Sequence, residues 1–258
     1  MKHKKSKIFN NISKLIVFRI ADLRPLFDSD NQLYAWLVSM QETKHITKIR
    51  AGLYSVVDPT TGDAYADKFM IASAISKNSY ISYHSALEFH GLANQVYNCV
   101  YVSDKKRFSQ FEFESVEYIH NNIYLTAGVE HIKKGVDLKV TDIERTVIDC
   151  LHKLDLAGGI EEILHALDAI ILLNEHKLLK YLAKYNVKKL YQKVGYVLSN
   201  YQRQFNLSDA FFKKCRQKSG VAKNYFLNQE NLPLELHPEW QLIAPRFEIL
   251  RKKFIGAV

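Results

Sequence analysis

Residues 19–57 read RIADLRPLFDSDNQLYAWLVSMQETKHITKIRAGLYSVV, and this stretch decides the fold of the N-terminal region. Asp22 is placed to cap a short helix, and Pro25 falls within the first turn of that helix. Proline has no backbone N–H, but an N–H in the first turn would have no partner within the helix, so proline is tolerated there. Ser29 lies in the polar turn that follows, and Gln32 comes three residues after it. This spacing has the form of a capping box and predicts that a second helix opens here.

The second predicted helix, which extends to about Thr43, has two chemically different faces. Its apolar residues recur at helical spacing and form a stripe for packing: Leu33, Trp36, Leu37 and Met40. The opposite face carries small, amide-bearing and aromatic side chains: Asn31, Gln32, Tyr34, Ala35 and Ser39. Because such side chains can meet base edges in a major groove, we predict that this face contacts DNA.

A two-stranded hairpin is predicted directly after this helix, within residues 46–57. Hydrophobic and polar residues alternate on both sides of Ala51 and Gly52, which suit a tight turn. Lys48 and Arg50 lie on this hairpin, where they would reach a phosphate or a minor groove. The hairpin therefore completes a candidate DNA-binding module.

These elements predict a winged helix-turn-helix domain over residues 1–60, and turn-forming residues at 58–63 mark its boundary. The rest of the chain, 61–258, is expected to form one C-terminal domain. Its first part, 61–157, is predicted to be mixed α/β, and its second part, 158–258, mostly helical and basic. The predicted fold class is therefore α+β.

Strands and helices alternate in the α/β part, and the pattern then becomes helical until about residue 217. Breaks in the helical pattern are expected near Asn174, Asn186 and Asn206. A capping box at 141–144, TDIE, opens a helix. The other expected elements are helices at 67–75 and 83–90, strands at 98–103, 111–120 and 136–140, and a terminal helix after Pro245.

Charge is distributed unevenly along the chain. The formal net charge is +9, with +6 over residues 1–57, −4 over 58–150 and +7 over 151–258. An acidic middle between two basic ends indicates partners rich in phosphate at both ends. Lys14, on a helix predicted over 8–18, is a further candidate DNA contact.

The segment 177–223 holds twelve Lys and Arg residues against one acid, Asp209, with tyrosines interleaved. Such a segment is typical of a nucleic-acid surface, but a solvated helical face with tyrosines in the core would give the same pattern. The near-absence of acids favours nucleic acid, with RNA as a further partner. The residues predicted for this second basic surface are Lys180, Lys184, Lys188, Lys189, Lys193, Arg203, Lys213, Lys214 and Arg216.

Several protein classes lack support in the sequence. It contains no apolar run long enough to span a bilayer, and its basic start is not followed by a signal core. Cys99, Cys150 and Cys215 have no metal-ligand spacing and are expected to be buried. We therefore predict a cytoplasmic protein without a membrane partner, metal or cofactor, and a monomer or weak dimer.

Catalytic motifs are sparse, so the chain is predicted not to be an enzyme. No phosphate-binding glycine loop, Gly-x-Ser-x-Gly motif or nucleotidyl-transfer signature is present. One alternative stays open, a metal-dependent nuclease. Asp137 and Lys139 form an acid–x–Lys triplet after Glu112, Glu114 and Glu117, and such a set can hold Mg²⁺ and activate water. These triplets are nevertheless common by chance in sheets.

The order of the motifs resembles the AbiEi-type antitoxins, the antitoxins and transcriptional regulators of type IV abortive-infection toxin–antitoxin systems. The resemblance extends to about residue 200, and the order and spacing of the motifs carry it. The matching segments are 49–54 (IRAGLY), 80–82 (YIS), 85–87 (SAL), 90–92 (HGL), 140–146 (VTDIERT), 148–149 (ID) and 158–159 (GG).

The resemblance implies a role in phage defence. A protein of this family represses its own operon by binding operator repeats through its N-terminal domain. Its C-terminal domain counters a nucleotidyltransferase toxin encoded alongside, and a stable complex with that toxin is not expected. The residues themselves predict a DNA-binding N-terminal module and a second basic surface, which is compatible with this role.

Overall fold

The computed structural model describes residues 15–134, 136–227 and 232–256, and the chain has a mixed α+β fold. It divides into two compact units. The first contains the chain up to residue 81 together with 97–123 and 129–140, and the second contains 82–96, 124–128 and the chain from 141 onward. Both units are therefore discontinuous in sequence, and the boundary predicted near residue 60 falls inside the first unit.

The N-terminal elements of the first unit form a three-stranded antiparallel sheet with helices. The strand order is β1-β3-β2. The elements are β1 (Val17–Arg19), α1 (Ile20–Leu23), a 3₁₀ turn (Arg24–Leu26), α2 (Asp30–Glu42), β2 (Ile46–Arg50) and β3 (Leu53–Val56). The prediction of a helix over 8–18 is wrong at its C-terminal end, because Val17 and Phe18 are buried on a strand, β1, that pairs with β3. The rest of that helix, with Lys14, lies outside the described residues.

The two predicted caps in this region have different outcomes. Ser29 caps α2 as predicted, since its Oγ accepts a hydrogen bond from the backbone N–H of Gln32 at 3.3 Å. Asp22 is not the N-cap of α1. Arg19 holds that position, and the Asp22 carboxylate accepts from the Arg19 backbone N–H at 3.1 Å and from its guanidinium at 2.8 Å.

A six-stranded mixed sheet forms the rest of the first unit, in the order β6-β7-β5-β4-β9-β8. The strand expected over 111–120 is in fact a hairpin, because Glu114 and Ser115 adopt positive φ values and reverse the chain. The elements are α3 (Lys68–Ala74), β4 (Tyr80–Ile81), β5 (Cys99–Asp104), β6 (Phe111–Phe113), β7 (Val116–Asn122), β8 (Val129–Lys134) and β9 (Val136–Thr141).

The second unit is mostly helical, as the sequence predicts for the region after 160. Its helices are α4 (His84–Phe89), α5 (Ile143–His152), α6 (Gly159–Ala169), α7 (Glu175–Tyr185), α8 (Lys188–Ser199), α9 (Gln202–Phe205), α10 (Asp209–Ser219) and α11 (Phe247–Phe254), with a 3₁₀ turn at Leu154–Ala157. A small sheet of β10 (Asn224–Tyr225), β11 (Glu235–His237) and β12 (Leu242–Ala244) has the order β10-β12-β11. In the described part of the chain, no helix combines the length and apolarity needed to cross a membrane.

The three asparagines predicted to interrupt the helices do so by two mechanisms. The Asn174 side chain caps α7 by accepting from the backbone N–H of Lys177 at 3.1 Å. Asn186 and Asn206 end helices in the left-handed conformation, each with φ of 50°. Asparagine tolerates this conformation better than most residues, so it suits a helix end.

Candidate nucleic-acid interface

Helix α2 is fixed by the burial of one face. Leu33, Trp36 and Leu37 are at most 1% exposed and pack with Phe18, Leu23, Ile46 and Tyr54 in one core cluster. Full burial of such a side chain stabilises a fold by about 1.5–3 kcal/mol. The stripe predicted for packing is confirmed, and it determines which side of α2 faces solvent.

The other face of α2 is open to solvent in the described part of the chain. Asn31, Gln32 and Ala35 are exposed, Tyr34 is 48% exposed, and Ser39 is half-buried. The five side chains of α2 that are predicted to contact DNA therefore lie on or beside one accessible surface.

Sequence reasoning missed one residue of this face, Val38. It is 51% exposed and follows Tyr34 by one helical turn. Its helical spacing from Asn31, i and i+7, was the signal that could have identified it. An exposed apolar side chain of this kind suits contact with a thymine methyl group.

The hairpin β2–β3 places its two predicted cations differently. Lys48 is exposed on β2. Arg50 is half-buried, with its guanidinium carbon 4.6 Å from the centre of the Phe111 ring and 5.4 Å from that of Phe108. Burial lowers the pKa of Arg50. Of the two residues, Lys48 is thus the one with the exposed side chain.

Two charged features border the α2 surface. Lys44 is exposed between α2 and β2 and was not among the predicted contacts. Asp30, in the first turn of α2, pairs with Arg24 at 3.0 Å, and both side chains are more than half exposed. This ion pair offsets one negative charge near the surface that we expect to approach DNA.

The residues predicted for the second basic surface do not all lie on a surface. Lys193 is 8% exposed, and its Nζ donates a hydrogen bond to the Leu151 carbonyl at 3.2 Å, so its assignment to this surface is wrong. It lies on the inward side of α8, between Leu190 and Val194, which are both buried. Lys189 is half-buried. The exposed members are Lys180, Lys184, Lys188, Arg203, Lys213, Lys214 and Arg216.

Other side chains in this segment reduce its resemblance to a nucleic-acid surface. Arg216 forms an ion pair with Glu239 and lies 5.5 Å from the centre of the Trp240 ring. The interleaved tyrosines Tyr181, Tyr191, Tyr196 and Tyr201 are all buried, at 4% exposure or less. These four tyrosines thus belong to the core, and lysines and arginines form the exposed feature.

The acids of the nuclease alternative are not brought together. Asp137, on β9, contacts His131 at 3.1 Å, and the Lys139 ammonium donates to the carbonyl of Lys77 at 2.8 Å. Glu112 and Glu117 face each other on β6 and β7, at the other end of the sheet order. Among the described residues, no group of three or more His, Cys, Asp or Glu side chains could hold a metal ion.

The segment 141–149, which carries much of the family resemblance, forms a buried polar network in the second unit. Asp142, not Thr141, caps α5 and accepts from the Arg145 backbone N–H at 2.8 Å. The Arg145 guanidinium pairs with Asp149 and donates to the carbonyl of Ala127 at 2.6 Å. Arg145 and Asp149 are each 1% exposed.

Tyrosines from α7 complete this network. The Tyr181 hydroxyl donates to the Asp142 carboxylate at 2.6 Å, and the Tyr185 hydroxyl donates to Asp149 at 2.5 Å. Burial and the neighbouring carboxylates raise the pKa of both tyrosines. Each charged group of the network has a partner, so the motif is explained by the packing of α5 against α7.

Comparison with known proteins shows a similarity to a solved structure. No protein-family model and no curated protein matches the chain. The crystal structure of the RV2827C protein from Mycobacterium tuberculosis is similar to the chain, with a TM-score of 0.66 and 12% sequence identity. The similarity covers 99% of this chain and 95% of that one. At this identity it shows that the two proteins share a fold.

Proposed function

We propose that this chain is a cytoplasmic DNA-binding regulator and that its N-terminal elements act as a winged helix-turn-helix. In this proposal α2 enters the major groove and the β2–β3 hairpin is the wing. One observation carries the proposal. The outward face of α2 combines Asn31, Gln32, Tyr34 and Ala35 on an accessible surface, while its apolar face anchors it in the core.

The chemistry of this face fits base contacts better than catalysis. Amide side chains can form paired hydrogen bonds with adenine, and Ala35 and Val38 offer apolar contacts for thymine. In the described part of the chain, the side chains of Asn31 and Gln32 make no hydrogen bond. They are therefore available to a ligand without breaking an internal contact.

Electrophoretic mobility shifts of the full chain on DNA from upstream of its own reading frame test this proposal. Lys48→Ala is expected to weaken binding to all DNA sequences and to reduce the slope of log K against log salt by about 0.9, the value for one lost phosphate contact. The matched control is Lys133→Ala, which removes an exposed lysine on β8. An unchanged salt slope for Lys48→Ala would contradict the docking.

The target of this regulator is proposed from the family resemblance. We infer that the chain represses its own toxin–antitoxin operon and counters a nucleotidyltransferase toxin encoded beside it. Repression of a reporter gene fused to the upstream DNA, lost in an Asn31→Ala and Tyr34→Ala double variant, would support the first part. Constitutive expression with the unaltered chain would overturn it.

The exposed lysines of the second unit are proposed to carry the antitoxic activity. Lys180 and Lys184 lie one turn apart on α7, and Lys188 opens α8, all of them exposed. Charge reversal of all three to Glu is expected to abolish protection from the toxin while operator shifts persist. The matched control reverses Lys133, Lys252 and Lys253, which are also exposed. Full protection by the first triple variant would remove this assignment.

A further inference from the structure

A cavity of about 440 Å³ lies within the second unit, between the end of α5, the start of α6 and the first turns of α8. Its lining includes three lysines, Lys153, Lys189 and Lys193, and one acid, Asp155. The volume is in the range of pockets that hold small molecules. The cavity is separate from the α2 surface proposed to bind DNA.

Lys193 is the most buried of the three lysines that line the cavity. Its ammonium group is largely removed from water, and one of its three N–H donors is used by the Leu151 carbonyl. Burial, followed by the nearby charge of Lys189, lowers the pKa of Lys193 to about 8, whereas Asp155 acts in the opposite direction. Like charges that line one cavity repel each other, and an anion between them would relieve the repulsion.

The start of helix α6 forms part of the same wall. Gly159 and Ile160, which line the cavity, are the first residues of α6. The N-cap of α6 is Gly158, which has no side chain to accept a hydrogen bond from the backbone N–H groups of the first turn, and both glycines adopt positive φ values of 84° and 92°. The N-terminus of this helix, with the positive end of its dipole, therefore lies at the cavity wall.

The lining also has an apolar part, which contains Leu154, Phe226 and Leu227. The Lys193 ammonium lies 5.8 Å from the centre of the Phe226 ring, so the cationic and apolar surfaces are adjacent. A ligand that matches both needs a compact anionic group attached to a flat or apolar body.

We propose that this cavity binds a small organic phosphate of about the size of a nucleoside monophosphate. The phosphate group lies between Lys189, Lys193 and the start of α6, and the organic part lies against Phe226. Inorganic phosphate shares the anionic chemistry, so the test must separate the two.

Isothermal titration calorimetry of the full chain with AMP, inorganic phosphate and adenosine tests the proposal. We expect AMP to bind most tightly, phosphate less tightly, and adenosine not measurably. Lys193→Met keeps most of the side-chain volume and is expected to weaken AMP binding by about tenfold or more, the effect of one lost charge-assisted hydrogen bond. Lys189→Ala is expected to weaken it several-fold. Lys218→Met, an exposed lysine outside the cavity lining, is the control and should bind AMP normally.

The outcomes are distinguishable. Adenosine that binds as tightly as AMP, or unchanged AMP binding in both Lys193→Met and Lys189→Ala, would overturn the phosphate site. If inorganic phosphate binds as tightly as AMP, the proposed contact between the organic part of the ligand and Phe226 is overturned. Circular dichroism shows whether Lys193→Met folds. If it does not, AMP binding by Lys189→Ala is the deciding measurement, because the Lys189 side chain is only half-buried and its loss is expected to leave the fold intact. Operator shifts are expected to persist in both variants, so this test is independent of the DNA proposal.

Discussion

Helices α2 and α5 both begin at a side-chain N-cap, and both carry polar residues, but these residues have opposite environments. On α2 the polar side chains Asn31 and Gln32 are exposed. On α5 the charged side chains Arg145 and Asp149 are buried and paired with each other. A polar residue on a helix can therefore serve an external partner or an internal one, and burial separates the two cases.

This difference in burial separates a motif that stabilises the fold from one that is open to a partner. The segment 141–149 is the more conspicuous pattern in the sequence, yet its polar groups hydrogen-bond within the second unit. The polar face of α2 is less conspicuous, but its side chains are available for contact. The polar groups of 141–149 are thus accounted for by internal packing, and the proposed DNA contacts depend on α2.

The largest effect that would test this comparison is expected at Arg145. Arg145→Met removes the partner of a buried carboxylate, Asp149, and should lower the free energy of unfolding by about 3–5 kcal/mol. Urea denaturation followed by circular dichroism measures it. Arg24→Met is the matched control, because the exposed Arg24–Asp30 pair is expected to contribute about 0–1 kcal/mol. Similar losses of unfolding free energy in Arg145→Met and Arg24→Met would show that the buried and the exposed ion pairs do not differ in their contribution to stability.

A smaller effect, on recognition instead of stability, is expected on α2. Asn31→Ala and Tyr34→Ala should each change the DNA sequence preference by about 1–3 kcal/mol at the contacted base pair. Binding to the operator and to a set of its single-base-pair variants measures this. The unfolding free energy should change little, because both side chains are exposed. Equal weakening on every DNA sequence would show that these residues do not contact bases.

The smallest effect is expected at the caps. Ser29→Ala should lower the free energy of unfolding by about 1 kcal/mol, because it removes one hydrogen bond at the start of α2. Asp142→Ala should cost more, because the Asp142 carboxylate also accepts from Tyr181 and contacts Lys177 at 3.1 Å. The two denaturation midpoints, measured side by side, check this order. The reverse order would mean that the network around α5 contributes little.

Elements that depend on nearby residues were predictable from the sequence. The Ser29 cap, the apolar stripe of α2 and the helix breaks at Asn174, Asn186 and Asn206 each require a few adjacent positions, and the structure confirms them. The exposed face of α2 follows directly from its buried stripe.

Features that depend on distant residues were not predictable. Arg50 is half-buried because Phe108 and Phe111, far along the chain, provide rings for its guanidinium. Lys193 looks like a surface residue in the sequence, and only the packing of α8 places it inside. The turn at Glu114 and Ser115 has positive φ values at both residues but lacks the Asn-Gly or Asp-Gly pair typical of such turns, so the pattern predicted one strand in place of a hairpin.

The discontinuous composition of the two units has a practical consequence for dissecting the protein. The chain passes from one unit to the other five times, at residues 81, 96, 123, 128 and 140. No single cleavage therefore separates the two units: a fragment that ends at residue 140 contains every segment of the first unit but also 82–96 and 124–128, which belong to the second. Separation of function is better sought with point substitutions in the whole chain than with excised halves.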